Sequence, residues 1–227
     1  MQQCARFASN PGKSHVEAVK QIGRYLIGTC DKGLVLRPNP KQSFLVWAEA
    51  DFVGNWNEIT AMSDVPTAKS QSGYLIIYSG CPISWASKMQ TEIALSTTES
   101  EYISLSTALR ETIPMMHLID EVRQRFNCGD IVPTPTTQCT LFEDNSGALK
   151  LANTPKMRPR TRHIDVKYHH FREYVRRKLI MIKSVRTTEQ LADIFTKPLP
   201  RDLFAKFRNQ ILLWDDKCLT NKSNDGV

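Results

Sequence analysis

The sequence predicts an α/β fold: a mixed five-stranded sheet, its first three strands antiparallel, flanked by helices. Three strand-like runs come early, at 44–53, 72–79 and 82–88, and Ser79-Gly80 forms a tight-turn pair between the last two. Two more apolar runs, 138–142 and 179–185, follow, each preceded by a stretch of helical periodicity. The resulting order, βββαβαβα, begins with hairpin-linked strands and ends with helix-linked ones. Such an order implies a mixed sheet with helices packed on it.

Ahead of the sheet, Ser14–Thr29 sets Val16, Val19, Ile22, Leu26 and Ile27 at helical spacing, and the turn residues of "RPNPKQ" end that unit. The first strand alternates: Leu45, Trp47, Glu49, Asp51 and Val53 share one face, while Phe44, Val46, Ala48, Ala50 and Phe52 share the other. After the hairpin a long helix is expected over 97–125, interrupted at Pro114, with "VPTPTT" as connector to the fourth strand. A helix in "SGALKLA", another over 165–178, the fifth strand, a helix over 188–196 stopped by Pro198 and Pro200, and a last helix over 202–214 complete the series. The polar stretch 215–227 is expected to be disordered. The division this suggests is 1–40, 41–200 and 201–227.

With 227 residues, 41% of them hydrophobic, the chain can bury one full core plus a smaller appendage. No apolar run approaches the roughly 18 residues that would span a bilayer, and 1–10 lacks the apolar stretch of a secretory signal, so a soluble, intracellular protein is expected. Cys4, Cys30, Cys81, Cys128, Cys139 and Cys218 are scattered without a C-x-x-C pair, which fits reduced thiols in a cytoplasmic or nuclear compartment. The net charge is +7, but 150–186 alone carries twelve Lys and Arg against Asp165 and Glu173. The basic character therefore belongs to one segment, where cations alternate with Tyr168, His169, His170, Phe171 and Tyr174. Phosphate binding and a solvated basic helix with its aromatics in the core both suit that mixture.

Glu49 and Asp51 point the same way from an apolar strand, which suits either a wet edge or a bound cation. In "LSTTESEY", Ser96 and Glu99 form a capping box, whereas Glu101 lies about 200° around the helix, on the side of Leu105, Ala108, Leu109 and Thr112. Asp144 ends the fourth strand, where an ordinary helix N-cap and a ligand are equally good readings. Asp193 is best read, from its own segment, as solvent-exposed. Taken together these acids come from a strand, a helix, a strand end and a late helix, as a convergent cluster requires. Oxygen-only donors select Mg²⁺ or Mn²⁺ over zinc, and two such ions about 4 Å apart perform nuclease chemistry on phosphodiesters.

The segments "ISWASKMQTEIALSTTESEYISLSTALRE", "LFEDNSGAL", "RTRHIDVKYHHFREYVRR" and "TTEQLADIFTKPLP" resemble, in order and spacing, the ribonuclease H (RNase H) region of copia-type LTR-retrotransposon Pol polyproteins. The likeness runs over about 44–214, and 1–40 is similar to the segment that joins reverse transcriptase to RNase H in those polyproteins. The polymerase's Y-x-D-D carboxylates are absent, so a complete reverse transcriptase is not expected.

The resemblance implies an RNase H-like fold, a metal-dependent endonuclease acting on the RNA strand of RNA/DNA hybrids, and two Mg²⁺ or Mn²⁺ ions. It implies Glu101, Asp144 and Asp193 as catalytic ligands. At the first-strand position the family reads D-A-D, whereas this chain has Glu49, Ala50 and Asp51; both acids are expected in the catalytic, metal-binding set, with the extra methylene of Glu49 impairing activity and Asp51, on the same face, compensating. It further implies hybrid binding by Asn145, Arg160, Arg162, His163, Lys167, His169, His170 and Arg172, contacts with a reverse transcriptase or the rest of a Pol polyprotein, and residence in a cytoplasmic virus-like particle or the nucleus. The alternative it leaves is a non-catalytic nucleic-acid-binding remnant of a degenerate element.

Overall fold

The computed structural model describes residues 2–54, 56, 65–126, 137–154 and 170–214. Two compact units divide between 35 and 36. In the first, α1 (Gln2–Arg6) and α2 (Lys13–Ile27) follow each other, with the Phe7 and His15 rings stacked at 4.2 Å and His15 Nδ1 accepting from the Gly12 N–H at 3.0 Å. The expected amphipathic helix is α2. Val19, Leu26 and Ile27 on its apolar side are exposed.

The second unit holds the sheet. Strands β1 (Phe44–Asp51), β2 (Gln71–Tyr78), β3 (Cys81–Met89), β4 (Cys139–Glu143) and β5 (Ile180–Ser184) lie in the order β3-β2-β1-β4-β5. The first three are antiparallel to one another; β1–β4 and β4–β5 are parallel. This is the mixed RNase H-like sheet that the sequence order implies. The β2–β3 turn places Ser79 and Gly80 at φ 49° and 76°, the left-handed pair that matches the twist of a two-residue hairpin.

Helices α3 (Thr97–Phe126), α4 (Ser146–Asn153), α5 (Arg172–Arg176) and α6 (Arg201–Leu212) are the α-helices of this unit among the described residues. The helix expected over 165–178 is described only as α5, since 155–169 lie outside the described residues, as do 215–227. Pro114 does not interrupt α3. It sits on the exposed side next to buried Ile113, where water can satisfy the Arg110 carbonyl that loses its N–H partner while the opposite face stays packed.

Alternation along β1 sends Phe44, Val46 and Ala48 into a core with Tyr102, Leu105, Ala108 and Leu109 of α3, all fully buried. Trp47 goes the other way, joining Leu75 in a second cluster with Leu191, Phe207 and Ile211. The sheet is therefore covered on both faces, the second by the segment Leu191–Phe195 with α6 packed against it.

Residues 188–196, expected as one α-helix, form two 3-10 turns, Thr187–Glu189 and Leu191–Phe195. Their docking needs Gly73, the β2 residue opposite Glu49. A Cβ there would lie 2.7 Å from Thr196 Cγ2 and 2.8 Å from Phe195 Cβ, with the Ala192 carbonyl at 3.2 Å. Gly73→Val is expected to lower stability by about 1–3 kcal/mol and to lift the 3-10 segment off the sheet. Denaturant unfolding together with amide exchange at 191–196 measures this; unchanged protection and midpoint would contradict it.

Candidate metal centre

The carboxyl ends of the parallel strands β1 and β4 lie on the same side of the sheet, where β1 also meets antiparallel β2. Such a switch in strand direction opens a crevice that tends to become a site. The register pairs Trp47 with Phe142, so two residues further on Glu49 comes level with Asp144. From above, α3 delivers Glu101, whose Oε2 accepts the Ala50 backbone N–H at 2.7 Å. Ser104, one turn later, donates to the Glu49 and Gly73 carbonyls at 2.6 and 3.2 Å and fixes the helix on the strands. One oxygen each from Glu49, Glu101 and Asp144 lie within 4.8 Å of one another.

The N-cap of α4 is Asn145, whose side chain accepts from the Gly147 and Ala148 N–H groups at 2.9 and 3.0 Å. Asp144 is thereby released from the capping role open to it in the sequence, and its Oδ2 accepts from the Thr187 hydroxyl at 2.8 Å. The capping-box bond expected between Ser96 and Glu99 is present, Ser96 Oγ accepting the Glu99 N–H at 3.1 Å, and the Glu99 carboxylate reaches back to the Leu95 N–H at 2.9 Å.

Asp193 is buried, not solvent-exposed. The reason is the 3-10 geometry and its anchor: Gln190, fully buried, donates from Nε2 to the Ala48 carbonyl at 2.9 Å and presses the turn against β1. Asp193 does not join the trio directly. Its Oδ1 meets Lys197 Nζ at 3.1 Å, and the same ammonium lies 2.5 Å from Glu49 Oε1. Asp51 is half-buried, its carboxylate lying against the backbone at Gly54 and outside the trio. Of the residues expected to hold nucleic acid, Asn145 is the helix cap, His170 is exposed and Arg172 opens α5; Arg160, Arg162, His163, Lys167 and His169 lie outside the described residues.

Three residues were not singled out from the sequence. Gln190 and Lys197 are two, and Glu143 is the third: fully buried, with Oε1 accepting the Asn145 N–H at 3.0 Å and Oε2 making no hydrogen bond among the described residues. Alternation along β4 was a usable signal, because Glu143 shares a face with Cys139 and Leu141. For Lys197 the signal was its spacing four residues after Asp193.

Burial pushes the Glu49 carboxyl up to about 8 against the pull of Lys197, with the Asp144 and Asp193 charges adding to the rise. Burial likewise lifts Glu101 to about 11, reinforced by Glu143, Glu49 and Asp144, and raises Glu143, Asp51 and Asp193. Burial opposes the Lys197 ammonium, but Glu49 and Asp193 outweigh it and hold its pKa above the ordinary lysine value.

These shifts set a sign. Between the ordinary glutamate value of 4.5 and about 8, the native state retains protons that the unfolded chain has released. Stability without metal is therefore greatest at low pH and falls as pH rises through that window. Each pH unit crossed with one proton of difference costs about 1.4 kcal/mol, roughly 3–5 °C in Tm at this size. Calorimetry without metal should show a lower Tm at pH 8.5 than at pH 6, with a shallower slope for Glu101→Gln. An equal or higher Tm at pH 8.5 would refute the assignment.

The donor set is all carboxylate oxygen, and Glu49 Oε2, on a side chain 1% exposed, makes no hydrogen bond among the described residues. That combination fits a hard divalent cation, for which unpaired buried carboxylate oxygens are ligands and not a penalty.

Sheet order, helix placement and an acid trio at the β1/β4 end define a protein of the RNase H-like class. No family model matches the chain. It is 35% identical over 200 residues to the retrovirus-related Pol polyprotein from transposon TNT 1-94 of Nicotiana tabacum, covering 88% of this chain and 14% of that protein. It is 32% identical over 207 residues to the corresponding polyprotein from transposon RE1 of Arabidopsis thaliana, covering 91% and 13%. Among solved structures it is similar to the N-terminal RNase H domain of Rv2228c from Mycobacterium tuberculosis, with a TM-score of 0.43 and 10% identity over 73% of this chain and 96% of that one. The chain belongs with the retrovirus-related Pol polyproteins of plant copia-type transposons and spans about a seventh of the length of these relatives.

Proposed function

We propose that the chain is a retrotransposon RNase H that hydrolyses the RNA strand of RNA/DNA hybrids with Mg²⁺ or Mn²⁺. The observation that carries this reading is the meeting of Glu49, Glu101 and Asp144 carboxylate oxygens within 4.8 Å of one another, in a site where Glu49 Oε2 has no hydrogen-bond partner among the described residues. Divalent metal, when bound, would supply activation of a water and neutralisation of charge at the leaving oxygen.

The chain's own residues hold and orient. Glu49, Glu101 and Asp144 would be the ligands, with Asp193 and Asp51 adding negative charge beside them. Ala50 fixes Glu101 through its N–H, Thr187 fixes Asp144, and Gln190 holds the Asp193 turn on β1. The basic segment 150–186, with His170 and Arg172 at its described end, would take the hybrid's phosphates and read backbone shape without sequence preference. Residues 1–40 would be the connection to a polymerase, with the exposed apolar side of α2 available to that partner, 41–200 the nuclease, and 201–227 its last helix and tail.

The test is a hybrid labelled on either strand, incubated with Mg²⁺, Mn²⁺ or chelator. Cleavage confined to the RNA strand and abolished by chelation is the expected result. A second reading, a binding remnant without catalysis, is favoured by the capture of Glu49 by Lys197. Salt-sensitive hybrid binding with no cutting under either metal would establish that reading instead.

A further inference from the structure

We propose that Lys197 is a resident cation of this site: its ammonium takes the position between Glu49 and Asp193 that a second divalent ion would otherwise fill, so the chain binds a single divalent ion. The inference rests on the metal-site reading above and concerns how many ions that site accepts.

The geometry divides the acids into two groups that share Glu49. On one side, Glu49 Oε1 and Asp193 Oδ1 stand 2.5 and 3.1 Å from Lys197 Nζ. Both carboxylates are nearly inaccessible, with side chains 1% and 4% exposed, while the lysine side chain is 33% exposed. On the other side, Glu49 Oε2 makes no hydrogen bond among the described residues, and one oxygen of the Glu49 carboxylate lies within 4.8 Å of one oxygen each of Glu101 and Asp144. One carboxylate thus spends one oxygen on an internal ammonium and keeps the other for an external ion.

Lys197 is held where it is by the chain itself. Its backbone N–H bonds the Asp193 carbonyl at 2.9 Å, closing a turn that puts the lysine one step beyond the aspartate and on the same side. An ammonium delivers three donors and a single charge without any demand for octahedral geometry. Two carboxylates buried side by side need such a counter-charge, and among the described residues the salt bridges of Glu49 and Asp193 are both with Lys197. A dication entering between them would have to expel an ammonium tethered at high effective concentration, at a cost that an ion at the Glu49–Glu101–Asp144 position does not meet.

The length of Glu49 fits this arrangement. An aspartate at the same place would end about one C–C bond, roughly 1.5 Å, earlier, and its contact with Lys197 would open from hydrogen-bond distance.

Mn²⁺ titration of the full chain, read by the electron paramagnetic resonance of free Mn²⁺, tests the inference without any activity measurement. Wild type is expected to bind one Mn²⁺, Lys197→Arg one, and Lys197→Met two. Two ions on wild type would overturn the role of Lys197 while leaving the metal site intact. No ion on wild type would overturn the metal-site reading and the inference with it. One ion on a Lys197→Met chain with native circular dichroism would show that the lysine does not exclude the second. Should that variant fail to fold, the wild-type count alone still decides, because the inference requires it to be one.

Discussion

Asp144→Asn is expected to abolish hybrid cleavage, with a loss on the order of a thousandfold, and to leave the fold unchanged. Asp144 is the cleanest of the proposed ligands to alter because its structural duties are few: Oδ2 accepts one hydrogen bond from the Thr187 hydroxyl, and the capping of α4 belongs to Asn145. An asparagine has the same shape and keeps a carbonyl oxygen for Thr187. What disappears is the negative charge, and a neutral amide is a poor substitute for a carboxylate around a hard dication. Cleavage of a strand-labelled hybrid gives the rate, while circular dichroism and Tm confirm the fold. Cutting at a rate near that of wild type, by a folded variant, would remove Asp144 from the mechanism.

Glu49→Asp is expected to act in the opposite direction, raising the cleavage rate by on the order of a hundredfold. The wild-type side chain is long enough to bring Oε1 to 2.5 Å from Lys197 Nζ. Removing one methylene withdraws it from the ammonium and supplies the aspartate that the resemblance to copia-type RNase H regions implies at this position. Displacing a ligand by about 1 Å is enough to cost roughly two orders of magnitude, since catalysis of this kind depends on the placement of reacting groups. The comparison is made at saturating metal and hybrid, so that it reports the chemical step. A variant no faster than wild type would show that Glu49 is already competent and that its length is immaterial.

The order of strands and helices was legible because each element carries a local pattern. Period-2 alternation marks β1, the positive-φ pair Ser79-Gly80 marks the hairpin, and helical spacing marks α2, α3 and α6. Elements whose form is imposed from outside were not legible in the same way. The segment at 188–196 has helical composition, yet Gln190 ties it to the Ala48 carbonyl and Gly73 lets it lie flat, so it winds as 3-10 turns. Pro114 reads as a break, yet the packing of Ile113 and Met116 carries α3 through it. α1 is too short to show a period at all.

The acids divide along the same line. Glu101 could be assigned to the buried side of its helix from spacing alone, and Glu49 and Asp51 to one face of a strand, because backbone geometry fixes where side chains point within a single element. The roles of Asp144, Asp193, Glu143 and Lys197 depend on distances between elements. Asn145 takes the cap and so releases Asp144; a buried turn converts Asp193 from a surface residue into a partner of Lys197. Local pattern along the chain suffices for the α/β class, the sheet's mixed character and the set of candidate acids. Only the tertiary structure decided which of them meet and which one is shared with an internal ammonium, because electrostatic energy between side chains falls with separation in space and is blind to separation along the chain.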